Sequence, residues 1–311
     1  MNVAALFGVL WSFAAIGSIM GVGYFAKRVK FFTAESDLIL NRVTVYIGVP
    51  TLYFAVIAEG GSDALNSRYS FVSMIAMGAA LLLALVLLKL MARTYSWGET
   101  MMLATTAVNP NSGNTGIPLA VAVLGSTVYL APVILIQVAV LTPLVLIVVE
   151  LTRPGTTLRI SLKKAFLSPL VLAALAGVIV AATGVELAAE VLLPIKMIGE
   201  ASIPLMLMVF GSSLRGAQPF LTLRRHPVAV VLPIAVKGVL LPLIAVGIGV
   251  AFGLQGIELL ALALVGSLPV AQNLYAMAHA LGTAAEEVKS IIILSTLSAL
   301  PLSLFFVMLF A

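Results

Sequence analysis

Apolar stretches of about 20 residues follow one another along this chain with only short polar loops between them, and that is the length an α-helix needs to cross a bilayer. Ten such segments can be delimited. They run from Val3 to Phe25, Asp37 to Ile57, Tyr69 to Ala92, Thr100 to Leu124 and Thr127 to Glu150. After a polar stretch come Phe166 to Gly184, Val191 to Ser213, Pro227 to Phe252, Gly256 to Leu281 and Val288 to Phe310. With 62% of its 311 residues hydrophobic and 9% charged, the chain has no polar surface with which to cover a soluble core. A soluble enzyme is excluded, and so are disorder and a collagen-like chain. The absence of cysteine removes disulfides, cysteine-ligated zinc and iron-sulfur clusters. The expected class is an all-α integral membrane protein with ten transmembrane helices. Its N-terminal MNVAALFGVLW lacks the basic region of a cleaved signal peptide and is read as part of the first span.

Lys and Arg set the orientation, because basic loops stay on the cytoplasmic side. Fourteen of the 17 basic residues fall in the odd-numbered loops, among them Lys27, Arg28, Lys30 and Arg42 in the first and Arg153, Arg159, Lys163 and Lys164 in the fifth. The even loops hold only Arg68 and Lys196, and Lys237 lies inside a span. This bias places both termini outside the cytoplasm, in a cell membrane. It also disposes of nucleic acid as the partner implied by a net charge of +5, since the charges mark a membrane boundary instead of one solvated face.

The order of prolines suggests an internal repeat. Pro110 and Asn114 in the fourth segment recur as Pro269 and Asn273 in the ninth, at an offset of 159, and Pro143 recurs as Pro301 at 158. Pro50 in the second segment has a counterpart in Pro204 of the seventh. Five spans per copy is an odd number, so the second copy must enter the membrane from the opposite side. The expected organisation is a first repeat over residues 1–150, a cytoplasmic linker over 151–164 and an inverted second repeat over 165–311, the plan of many secondary transporters.

The most informative segment is Asn109-Pro-Asn-Ser-Gly-Asn-Thr-Gly-Ile-Pro118, with three Asn, two Pro and two Gly in ten residues. Such a run breaks a helix in mid-membrane, where each unpaired backbone group costs several kcal/mol unless protein or water satisfies it. Gly266-Ser-Leu-Pro-Val-Ala-Gln-Asn273 is a shorter interruption of the same kind. Two broken helices at matching places in inverted halves point to a substrate site where they cross. Half-helix N-termini there carry partial positive charge, and Asn109, Asn111, Asn114, Gln272 and Asn273 supply neutral amides, with Pro110, Pro118 and Pro269 making the breaks. No Asp or Glu lies in either interruption, so a small organic carboxylate suits the site better than a cation does. The plainer alternative is that the prolines only kink packed helices and the Asn side chains cap the broken ends.

NSGNTGIPLAVAVLG in the first half, with SLPVAQNLYAMA and IPLMLMVFGSSL in the second, resembles the auxin efflux carrier family, the prokaryotic relatives of plant PIN proteins. The likeness covers essentially the whole chain, including Lys237 five residues before Pro242. The resemblance implies spans one, two, six and seven as a scaffold and the other six as a transport domain moving by an elevator mechanism. It also implies a homodimer through the scaffold and an organic anion at the crossover, with Asn114 and Asn273 at the matching positions. The linker, Thr152 to Lys164, is short where plant members have a long loop.

Three ionisable residues at depth qualify as functional candidates, Lys237 and Glu200 for coupling or countercharge and His279 near the cytoplasmic end of the ninth segment, where an interfacial place is the plainer reading. Lys237 lies 12 residues after Arg225, roughly 18 Å along a helix and so near the midplane. Glu200 lies one turn beyond Lys196 and could carry a proton or form an interfacial ion pair. Proton coupling is expected because no acidic cluster for sodium is visible. The rival is a sodium-coupled organic anion symporter of the bile acid symporter type. An intramembrane enzyme would need paired catalytic groups at depth, and neither HExxH nor GxSxG occurs. An open channel gives no reason for paired breaks. No cofactor or metal is expected. Gly17 with Gly21 and Gly249 with Gly253 have the spacing of close helix contacts, within the monomer or at a dimer seam.

Overall fold

The computed structural model describes residues 3–65, 67–185 and 187–310, and every named element among them is helical. Helix α1 (Val3–Arg28) is the first expected span. Helix α2 (Ala34–Val43) passes through one π-helical turn (Thr44–Gly48) into α3 (Val49–Leu65). This second segment begins at Ala34 instead of Asp37, and Arg42, counted above with the first loop, lies on the helix. Thr33 starts it: its hydroxyl accepts the Ser36 N–H at 3.2 Å while the Ser36 hydroxyl accepts the Thr33 N–H at 2.7 Å. Helix α4 (Arg68–Met91) follows, and α5 (Trp97–Thr106) and α6 (Ile117–Leu124) divide the fourth segment, with a π turn (Ser112–Gly116) leading into α6. Helix α7 (Ala131–Ile136), a π turn (Gln137–Leu141) and α8 (Thr142–Leu151) form the fifth.

The linker is more ordered than a polar loop. Helix α9 (Leu158–Phe166) occupies its second half and bends by 61° into α10 (Pro169–Thr183). Beyond it lie α11 (Ala189–Ser213), the short α12 (Pro219–Arg225), then α13 (Pro227–Ala235), a π turn (Val236–Leu240) and α14 (Leu241–Ala251). Helices α15 (Ile257–Ser267) and α16 (Asn273–Leu281) divide the ninth segment, and α17 (Ala285–Phe310) is the tenth. Among the described residues six helices are long and apolar enough to cross a membrane, or seven if the bent α9–α10 pair is one span. The fourth and ninth segments fall short because each is cut in two.

All four π turns end two residues before a proline: Pro50, Pro118, Pro143 and Pro242. Proline has no N–H and its ring crowds the carbonyl four residues back, and widening the preceding turn by one residue relieves that contact without ending the helix. Pro204 and Pro301, the counterparts of Pro50 and Pro143 by spacing, instead lie inside α11 and α17 with no such turn. Matching prolines along the sequence therefore overstates the local likeness of the two halves.

Helix α1 packs on α11, and α3 packs on both α10 and α11. Glycine permits the closest of these contacts. A Cβ at Gly23 would stand 2.0 Å from the Met208 carbonyl oxygen, and one at Gly211 would stand 2.0 Å from that of Met20. Gly17 and Gly21, which the spacing nominated, meet nothing within 4 Å. At the basic end of these helices Asp37 accepts from Lys27 at 2.5 Å and from the Ser212 hydroxyl at 2.8 Å, tying α1, α2 and α11 together. Most of the apolar core lies among α4 to α8 and α13 to α17, where Leu88, Met102, Leu103, Leu264 and Ile291 are fully covered, and it reaches Ile57 of α3, Ala174 of α10 and Phe210 of α11. At the margin of that core the Tyr95 hydroxyl donates to Glu287 at 3.0 Å. Burial, and after it the Glu287 carboxylate, pushes the Tyr95 hydroxyl above its ordinary range, so it stays a donor at any physiological pH.

Candidate functional site

The two interruptions meet. Residues Asn109 to Asn111 run antiparallel to Pro269 to Ala271, with the Asn111 N–H donating to the Pro269 carbonyl at 2.8 Å and the Ala271 N–H donating to the Asn109 carbonyl at 3.0 Å. Pro110 stands opposite Val270, one residue off the match with Pro269 suggested by proline spacing. The pattern suits proline, since both Pro110 and Pro269 take places where no N–H is required.

Other freed backbone groups find partners from neighbouring helices, which is the condition for such a break inside an apolar bundle. The Gln137 amide donates to the Pro110 carbonyl at 2.7 Å, and the Ser295 hydroxyl accepts the Val270 N–H at 3.2 Å. Lys237, 1% exposed, donates to the Gly266 carbonyl in the last turn of α15. Gln137 and Lys237 both sit in π turns, where the widened helix turns a polar side chain onto a broken one. Among the described residues no carboxylate pairs with Lys237.

A cavity of about 140 Å³ opens beside the crossing. Val45, Tyr46 and Val49 line one wall with the start of α10, and Asn109, Thr142, Asn273 and Met277 line the other. No charged side chain belongs to the lining. Asn273 opens α16, and its amide nitrogen donates to the Tyr53 hydroxyl of α3 at 3.1 Å. Its amide oxygen is buried without a hydrogen-bond partner. Rotating the amide by half a turn lets the Tyr53 hydroxyl donate to that oxygen and leaves the NH₂ group in the buried position the oxygen now holds.

The five expected binding residues thus separate. Asn109 and Asn273 line the cavity. Asn111 and Gln272 hold one another across the crossing, amide to amide at 2.7 Å, with a second bond from Asn111 to the Thr115 hydroxyl at 3.1 Å. Asn114 lies in the π turn before α6 and Pro118 in that helix's first turn, and both side chains fall outside the described residues. Glu200 is exposed on α11 and is not in the lining, and Lys196 pairs with Glu59 at 2.9 Å. Sequence reasoning missed Tyr53, which carries no signal among apolar neighbours, and Gln137, whose amide in an apolar run was a signal as clear as Lys237. Among the described residues no three metal-ligating side chains come together.

The chain matches the family model described as membrane transport protein twice, over residues 9–159 and 152–307. No curated protein matches it.

Proposed function

The chain belongs to the membrane transport protein family, that of the auxin efflux carriers, and on that footing we propose that this multi-pass membrane protein is a secondary transporter of a small organic monocarboxylate. The observation that carries the reading is the uncharged cavity at the crossing, beside the N-terminus of α16, where two neutral amides and the hydroxyl residues Tyr46, Thr142 and Ser168 stand among apolar side chains. A few uncharged polar groups in a mainly apolar lining call for a solute built the same way. A second carboxylate would find no countercharge, which favours mono- over dicarboxylates. The volume is close to that of cavities of about 150 Å³ that take up benzene, so the solute's apolar part is about one ring in size.

Ten spans follow if α1 and the bent α9–α10 pair are counted and α5 with α6 and α15 with α16 each make one broken span. The cavity lies between the π turn before α3, the start of α3 and α10 on one side and the crossing on the other, which supports an elevator in which α4 to α8 and α13 to α17 move against α1 to α3, α10 and α11. The open face of α1 around Gly17 and Gly21 suits a homodimer through that scaffold. Protons are the coupling ion we favour over sodium, because Gln137 and Lys237 occupy the carbonyls at the breaks that a sodium ion would use.

Tracer uptake into proteoliposomes tests this. Benzoate is expected to enter saturably, with flux following the pH gradient and indifferent to sodium, while succinate does not compete. Tyr53→Phe removes the hydroxyl that orients Asn273 and is expected to raise KM by about tenfold with little change in maximal flux. Flux that follows sodium alone overturns the coupling, and transport of amines in place of acids overturns the substrate class.

A further inference from the structure

Helix α9 is built for a surface other than the protein's own. Thr157 caps it by accepting the Ile160 N–H, and it meets α10 at 61°, so with α10 upright in the bilayer α9 lies closer to the membrane plane. Its small residues Ser161 and Ala165 are buried against α8. Lys164 is held by Glu150 of α8, which also pairs with Arg153 at 3.2 Å. That fixes α9 to α8 by one face and one charge.

The rest of the helix is largely exposed. Leu158, Leu162 and Phe166, successive turns of one stripe, are 56%, 37% and 47% exposed. Beside them on the next stripe stand Arg159 and Lys163, both exposed, and among the described residues no carboxylate pairs with either. An apolar stripe flanked by cations, on a helix that continues into an apolar span, fits the boundary between acyl chains and headgroups. Unpaired cations held there draw anionic headgroups. We propose that α9 lies in the membrane interface, with Leu158, Leu162 and Phe166 in the acyl boundary and Arg159 and Lys163 binding anionic phospholipid. It thereby pins the linker between the two halves to one leaflet. This inference does not depend on what the crossing transports.

The chain has no cysteine, so a single introduced one reports cleanly. Leu162→Cys and Ile160→Cys, on nearly opposite sides of the helix, would each carry an environment-sensitive fluorophore in full-length protein reconstituted into phosphatidylcholine, alone or mixed with phosphatidylglycerol. The label at 162 is expected to be quenched by spin-labelled lipid and shielded from iodide, and the label at 160 the reverse. Phosphatidylglycerol is expected to strengthen lipid quenching at 162 by about twofold, and Arg159→Gln with Lys163→Gln, surface changes that leave Glu150 paired, to remove that gain. Equal iodide quenching at the two sites overturns the placement of α9. Lipid quenching that ignores both phosphatidylglycerol and the double substitution overturns the headgroup site.

Discussion

Lys237→Met is expected to stop transport and leave the protein folded. The lysine is 1% exposed and donates to the Gly266 carbonyl, and no carboxylate among the described residues neutralises it. A lysine inside an apolar bundle with no countercharge is costly and is kept where it serves a function. Methionine has nearly the same length and volume without the charge, so packing is preserved and the desolvation cost disappears. The carbonyl beside the crossing loses its donor. A melting temperature equal to or above that of the parent, with flux reduced by about a hundredfold, is the expected pair of results. A stable variant with unchanged flux would reduce Lys237 to a structural donor.

Gly211→Leu is expected to have the largest effect on folding. Its Cβ alone would lie 2.0 Å from a carbonyl oxygen of α1, and backbone cannot turn aside as a side chain can. The contact is reciprocal, so Gly23→Leu meets Met208 in the same way. Overpacking of this kind costs about 3 kcal/mol. Size-exclusion recovery and melting temperature in detergent should fall for both variants, and Gly17→Leu and Gly21→Leu, which meet open space in the monomer, serve as controls. If the controls dissociate an oligomer without unfolding the chain, that face is the dimer seam.

The contrast between these glycines shows where sequence reading ends. Spacing finds glycines four apart, yet which face of α1 meets α11 depends on how two distant helices cross, and the answer was Gly23. The helix breaks were legible because Asn, Gly and Pro cluster where apolar residues surround them, and the charge bias was legible because it sums over many loops. The register of the crossing was not, since proline spacing is blind to which residues must donate an N–H. Nor could identical amide chemistry distinguish Asn109 and Asn273, which face the cavity, from Asn111 and Gln272, which bind each other. The π turns had a signal, a proline two residues on, but Pro204 and Pro301 show that this signal alone is insufficient.

The claim at the centre of this account is that a carboxylate binds in the cavity beside Asn273. Charge movement in proteoliposomes on a solid-supported membrane, over a panel of mono- and dicarboxylates, tests it most directly. The parent protein should give saturable currents with monocarboxylates of about one ring in size, and Asn273→Ala, equally folded and equally reconstituted, should lose them. Currents that persist unchanged in Asn273→Ala would contradict the site, and silence in the parent toward every carboxylate, confirmed by tracer counterflow, would contradict the anion itself.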